Sequence, residues 1–276
     1  MLPLIQILGL PFLACIIMGA ILGYLGIHVL KREVIFIDIA LAQVAVVGAI
    51  AAHVAFGVHA DSWLSKMCSL GAVFIIAAFY AMTRSEIIQI SLEAVIGISY
   101  AIAAAAALFL VGIAPGGHMH IQDILSGSLL WTGWRDIIVS VLVFSAIGLC
   151  FYLFRKPLMK LSENYQQTQA EGFKPAFWDF VFYMLLGIAI TLSVQLAGIV
   201  VVFAFLIIPA TISALFSPHW GIRILIIWAS TITASLGGLL FAYYFDFSVG
   251  PAVALFLGSE LIVASIIGRI GRVLYY

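Results

Sequence analysis

VQLAGIVVVFAFLIIPATISALF, residues 194–216, holds no charged side chain. It extends the apolar segment 177–197. Only Gly198 interrupts the two, with Pro209 further on. A membrane-spanning helix needs about 20 apolar residues, with roughly 17–25 tolerated. The run is therefore long enough for two spans that meet at Gly198, or for one span and a broken or re-entrant element. Either reading places this part of the chain in lipid.

The remainder has the same character. Of 276 residues, 65% are hydrophobic and only 9% charged, and the mean hydropathy is +1.24. A soluble domain carries about a quarter of its residues as charges, so most of this surface must face hydrocarbon. Segments of spanning length fall at 7–30, 34–57, 63–82, 90–112, 136–154, 177–197, 198–216, 222–245 and 250–268. The expected fold is all-α: a polytopic bundle of about nine spans, with eight as the alternative, in one membrane domain covering 1–276. A formal charge of +0 supplies no basic field for nucleic acid. Cys15, Cys68 and Cys150 stand far apart in apolar runs and read as inert thiols. The first apolar run lacks a charged start and a small-residue cleavage site, and reads as a retained span.

Charge asymmetry orients the bundle. With the N-terminus outside, Lys31, Arg32, Arg84, Arg155, Lys156, Lys160, Lys174, Arg223, Arg269 and Arg272 fall on the cytoplasmic side, and only Lys66 and Arg135 outside. Such a bias is the positive-inside pattern. It favours nine spans, because eight would move Arg269 and Arg272 across. The C-terminus is then cytoplasmic.

Two connections are long. The outer one, 113–135, opens on a Gly-rich turn and can close on a short interfacial helix with Trp131 and Trp134 at headgroup level. The inner one, RKPLMKLSENYQQTQAEGFKPA (155–176), is polar. Residues 157–171 can form an amphipathic helix, with Leu158, Leu161, Tyr165 and Thr168 three to four apart and Gly172 and Pro175 as its stop. It is either a platform for a cytoplasmic partner or a helix lying at the membrane surface.

Residues 194–216 and the following GGLLFAYYFDFSVGPAVALFLG (237–258) resemble the permeases of the zinc/manganese/iron family of ABC importers. In that family a "vGvLLVvALLiiPAatA" span precedes a "GlylSYyldlpsGpaivl" hairpin. Gly198, Pro209, Ala210, Tyr243, Tyr244, Asp246, Gly250 and Pro251 match in order and spacing. QDILSGSLLWTGWRD (122–136) and EAVIGISYA (93–101) are similar to two further family segments. The resemblance implies a type II importer-like bundle in the bacterial inner membrane, working as a homodimer. It implies cytoplasmic ATPase subunits docked on 155–176, with Lys160, Glu163, Tyr165, Ala170, Glu171 and Gly172 as contacts. A metal-binding protein would dock outside. The cargo would be a divalent zinc, manganese or ferrous ion, with no tightly bound cofactor. The chain has no GxxxxGK[ST] phosphate loop, so ATP chemistry would belong to another chain and this one would be no enzyme.

Ionisable groups inside spans are costly and mark function by default; Asp38, His53, Glu93 and Glu260 qualify, with His28 nearer an end. The family's "FFGDALSHAxLPG" places an Asp and a His one helical turn apart. The ungapped match here is IFIDIALAQVAVVG (35–48), in which Ile39 replaces the Asp and Gln43 the His. Asp38 and Gln43 are five residues apart, about 140° around a regular helix. Asp38 is either a ligand helped by groups from elsewhere or a partner of Lys31 or Arg32. Gln43 is either a ligand or a helix-to-helix hydrogen bond. His118, His120 and Asp123 in the outer loop form a second candidate metal set. His53 could line an entry path, and His219 reads as structural. Glu93 reads as an acid favoured in its own helix's first turn. Glu260 is expected to pair with a Ser, Thr or Arg. Pro209 should kink or hinge its span.

Three other readings compete. A siderophore- or cobalamin-type permease shares the architecture but fits the motifs less well. An intramembrane enzyme needs a catalytic pair such as HExxH, which is absent from the sequence. A non-transport membrane scaffold leaves the intramembrane acids unexplained.

Overall fold

The computed structural model describes residues 2–58, 62–86, 90–113, 129–163 and 175–274. All of their regular structure is helical: α1 (Leu2–Lys31), α2 (Ile37–Phe56), α3 (Trp63–Glu86), α4 (Leu92–Ile113), a 3-10 turn (Leu129–Trp131), α5 (Trp134–Leu153), α6 (Arg155–Glu163), α7 (Pro175–Ala197), α8 (Ile199–Phe216), α9 (Trp220–Phe245) and α10 (Val249–Leu274). Among the described residues, 9 helices are long and apolar enough to cross a membrane, all but the short α6. The expected multi-pass bundle is therefore present. Large apolar side chains such as Ile75 (74% exposed) and Leu108 (73%) are exposed on the single chain, as suits helices that face lipid.

The open choice at Gly198 is settled in favour of two helices. α7 ends at Ala197 and α8 begins at Ile199, with Gly198 at φ 81 between them. That left-handed backbone is cheap only for glycine. Pro209 lies inside α8. Pro175 opens α7; at a first helical position its missing N–H costs nothing and its fixed φ suits the helix, and 164–174, where the preceding helix is expected to stop, lie outside the described residues.

The chain divides into two compact units: Met1–Leu30, Gly127–Ala146 and Leu196–Tyr276 form one, Lys31–Ser126 and Ile147–Gln195 the other. In the first, α8, α9 and α10 pack on one another. α1 joins them through Gly19, Gly23 and Gly26, spaced to share one helix face. A Cβ on Gly26 would fall 1.8 Å from the Leu206 carbonyl oxygen, and one on Gly23 2.4 Å from Ile227. Apolar helices gain little from each other by leaving lipid, so close backbone approach supplies the attraction. Ile27, Ala210 and Ile227 form the core beside it, with Leu30 and Trp220 packed on them.

In the second unit α2 packs on α3 and α4. Gly48 lets α2 approach the α3 backbone: a Cβ there would meet the Cys68 carbonyl at 2.8 Å. Beside it the Ser69 hydroxyl donates to the Ala45 carbonyl at 2.9 Å. Val46 and Ile50 pack against Ala107 and Val111 of α4.

Replacing Gly26 by leucine should prevent α1 from seating and cost about 1–3 kcal/mol or more. Thermal unfolding in detergent should show the loss, whereas leucine at Gly71, which has nothing within 4 Å, should leave the midpoint unchanged.

Candidate functional site

Asp38 lies in the first turn of α2 and is only 2% exposed. Its Oδ1 has no hydrogen-bond partner among the described residues. Lys31 Nζ is 2.8 Å from Glu163, and Arg32 pairs with Asp179. A second acid, Glu93 of α4, reaches the start of α2. Glu93 stands in the first turn of α4, yet one of its oxygens serves the next helix: Oε1 accepts the Phe36 N–H, at the N-cap of α2, at 3.2 Å. Helix starts leave such N–H groups unpaired and favour negative charge, so both acids suit the base of α2. Their remaining oxygens do not balance each other. A buried carboxylate oxygen left without a partner is costly, and a cation at the open Asp38 oxygen would offset that cost.

The other α2 candidates do not join this pair. Gln43 is half-buried and, on a regular helix, faces about 140° away from Asp38. His53 lies fifteen residues beyond Asp38, roughly 22 Å along the axis at 1.5 Å per residue. Its Nδ1 is 2.7 Å from the Val58 carbonyl, which helps close the α2 C-terminus where Gly57 takes a left-handed φ of 64. Among the described residues no three His, Cys, Asp or Glu side chains converge on a metal-sized point. His118, His120 and Asp123 lie in 114–128, outside the described residues.

Of the inner connection, α6 (Arg155–Glu163) is described, and Tyr165, Ala170, Glu171 and Gly172 lie outside the described residues. α6 is amphipathic as its spacing predicts: Leu158 and Leu161 are buried, Lys160 and Glu163 exposed. What fixes it was not anticipated. Arg32 is fully buried; its Nε donates to Ser162 of α6 at 3.0 Å, its Nη1 to Asp179 of α7, and its Cζ lies 4.0 Å above the Phe182 ring. Arg84 of α3 approaches the same Asp179 oxygen at 3.6 Å and donates to the Tyr183 hydroxyl at 3.2 Å. Burial pulls the Arg32 guanidinium below its ordinary pKa, and the neighbouring Asp179 charge is the largest influence pulling it back. Asp179, four residues inside α7, was legible as an acid in an apolar helix start, matched by arginines at the ends of neighbouring spans.

The remaining intramembrane groups are held by their surroundings. Glu260 of α10 receives a hydrogen bond from Ser230 at 2.5 Å and lies 2.6 Å from the Thr233 hydroxyl, the hydroxyl pairing expected of it. It borders a cavity of about 310 Å³ lined by Phe216, Ser259, Val263, Ala264 and Ile267. His28 is buried between the rings of Tyr24 and Trp220, at 5.4 and 5.2 Å. His219 is the N-cap of α9.

Nine helices of spanning length among the described residues, the break at Gly198 and an amphipathic α6 are on common ground with known proteins. The family model described as "ABC 3 transport family" matches residues 5–268. The chain belongs to this family. Among its relatives, the manganese transport system membrane protein MntC of Halalkalibacterium halodurans is 22% identical over 242 residues, covering 88% of this chain and 80% of that protein. A Haemophilus influenzae protein named "Probable iron transport system membrane protein" is 27% identical over 146 residues. That match spans about half of each, 52% of this chain and 54% of the relative. The fold is similar to the solved "PsaBC from Streptococcus pneumoniae in complex with Fab", with TM-score 0.76 at 22% identity over 94% of this chain and 92% of that one.

The Glu260–Ser230 contact should be measurable as coupling. In a double-mutant cycle with Glu260→Ala and Ser230→Ala, the two losses should fall short of additivity by about 0.5–3 kcal/mol. Thermal unfolding of the four proteins reads this directly, and additive losses would show that the hydroxyl does not hold the acid.

Proposed function

We propose that this ABC 3 family chain is the permease subunit of an ATP-driven importer that carries a divalent transition-metal ion, manganese, ferrous iron or zinc, across the bacterial inner membrane. The family match over residues 5–268, on a chain whose described residues hold nine helices of spanning length, is the observation that carries the reading. Two copies enclose the pathway, and cytoplasmic ATPase subunits dock on α6 and the residues that follow it. An extracytoplasmic metal-binding protein delivers the ion. The positive-inside bias puts the C-terminus and the base of α2 on the cytoplasmic side.

Asp38 is the leading ion contact in this chain, because it is a buried carboxylate with an oxygen left open and a second acid at the start of the same helix. Gln43 and His53 follow along α2 as separate stations, and His118, His120 and Asp123 as an outer capture set. Where the family's pattern puts Asp and His on one turn, this chain offers oxygen donors without an imidazole at the base of α2. Carboxylates alone suit manganese better than zinc, in keeping with relatives named for manganese transport.

Membrane vesicles carrying the permease, its ATPase and binding protein should take up manganese on addition of ATP. Deleting 160–170 should abolish co-purification of the ATPase. Asp38→Asn should cut uptake by about tenfold or more, at least the loss seen when a metal's supporting groups are removed. Uptake unchanged by Asp38→Asn would remove Asp38 from the pathway, and an ATPase still bound after the deletion would reject α6 as its platform.

A further inference from the structure

Between Arg32 and Asp38 the chain is short and held at every step. Glu33 has φ 57, a left-handed conformation that fixes a sharp turn. Val34 is buried, and its carbonyl takes the Ile37 N–H at 3.3 Å. The Phe36 N–H is held by Glu93, and Asp38 follows in the first turn of α2. A displacement of the Arg32 backbone therefore reaches the first turn of α2 with little slack.

At its other end Arg32 is held at three points: Ser162 of α6, Asp179 of α7 and the face of Phe182. A planar guanidinium bound this way has one orientation. A second contact to the same helix runs from Lys31 to Glu163 at 2.8 Å. The Asp179 oxygen that Arg32 occupies also has Arg84 at 3.6 Å. One carboxylate with two guanidinium partners has two discrete pairings, the kind of two-state element that physical coupling between sites requires.

Resting on the importer reading above, we infer that Arg32 and Asp179 are positioning residues for transport. They carry a displacement of α6, where the ATPase docks, to the first turn of α2, where Asp38 meets the ion. In one state Asp179 pairs with Arg32 and the base of α2 is locked to α6 and α7. In the other, Asp179 passes to Arg84 and the base of α2 moves with Ser162. ATP hydrolysis then drives ion movement only while this joint is intact.

The test uses the full permease–ATPase complex in liposomes, with manganese and ATP as probes, and measures manganese moved per ATP hydrolysed. For Asp179→Asn this ratio should fall by about tenfold while hydrolysis itself stays within about twofold. Ser162→Ala spares the ion pair and removes the Arg32–Ser162 hydrogen bond to α6, so the ratio should fall in the same direction and by more than the accompanying loss of thermal stability accounts for. Reversing the pair, Arg32→Asp with Asp179→Arg, should recover part of the ratio lost in either single variant. A ratio unchanged in both Asp179→Asn and Ser162→Ala, with normal uptake by the unaltered complex, would overturn the inference and leave the importer reading standing. So would a ratio that falls only in step with thermal stability and is not recovered on reversal. An unaltered complex that hydrolyses ATP and moves no manganese would overturn the importer reading itself, and the joint with it.

Discussion

The constraint beneath every feature of this protein is that hydrocarbon offers no hydrogen bonds. Backbone N–H and C=O groups must be satisfied within each span, which leaves helices as the only solution for a chain of this pattern. The same lack of water removes the usual reason for helices to associate, since lipid is as apolar as a leucine. Attraction then has to come from contact at short range. The Gly19–Gly23–Gly26 face of α1 and the Gly48 contact on α3 supply it by letting backbone meet side chain or carbonyl directly. These glycines are therefore positions where added volume, rather than lost volume, destabilises.

Constraint of this kind is also what makes sequence informative. Span number followed from apolar length and from the placement of arginine and lysine, because both are set by the bilayer rather than by tertiary detail. The interruption at Gly198 was visible as a position, but the choice between two spans and one span with a broken or re-entrant element needed the lengths of α7 and α8, 23 and 18 residues on either side of it. The pairing of Glu260 was legible in kind, since an acid in mid-span must find a donor. That the donors are Ser230 and Thr233 depends on how α9 packs on α10. Pro175 stands at the first position of α7, where a proline begins a helix as readily as it keeps the preceding one from continuing.

The candidate site was legible in part. Asp38 could be picked out as an acid within a span, and its distance in angle from Gln43 was fixed by helix geometry alone. Its neighbour could not be found that way. Glu93 is 55 positions away in sequence, and its local setting, the first turn of α4, already explained an acid. Only the packing of α4 on α2 shows that Glu93 serves the Phe36 N–H. A residue with an adequate local explanation hides its long-range one. The same reasoning applies to Lys31 and Arg32, which looked like natural partners for Asp38 by proximity in sequence and are engaged by α6 and α7.

The Arg32–Asp179 pair then raises a physical question about why it exists. Two charges taken out of water lose hydration that their mutual attraction only partly returns, and apolar residues of similar volume often serve stability as well or better. Here the arrangement is less economical still, because two guanidiniums face one carboxylate and atoms of both Arg32 and Asp179 lack partners among the described residues. A core selected for stability alone has cheaper ways to fill this space. What apolar packing does not provide is direction: a guanidinium fixes angles as well as distances, and a shared carboxylate can change partner without the helices separating. A buried, over-supplied ion pair is a poor glue, and its place between α6 and the base of α2 is what the coupling inferred above requires.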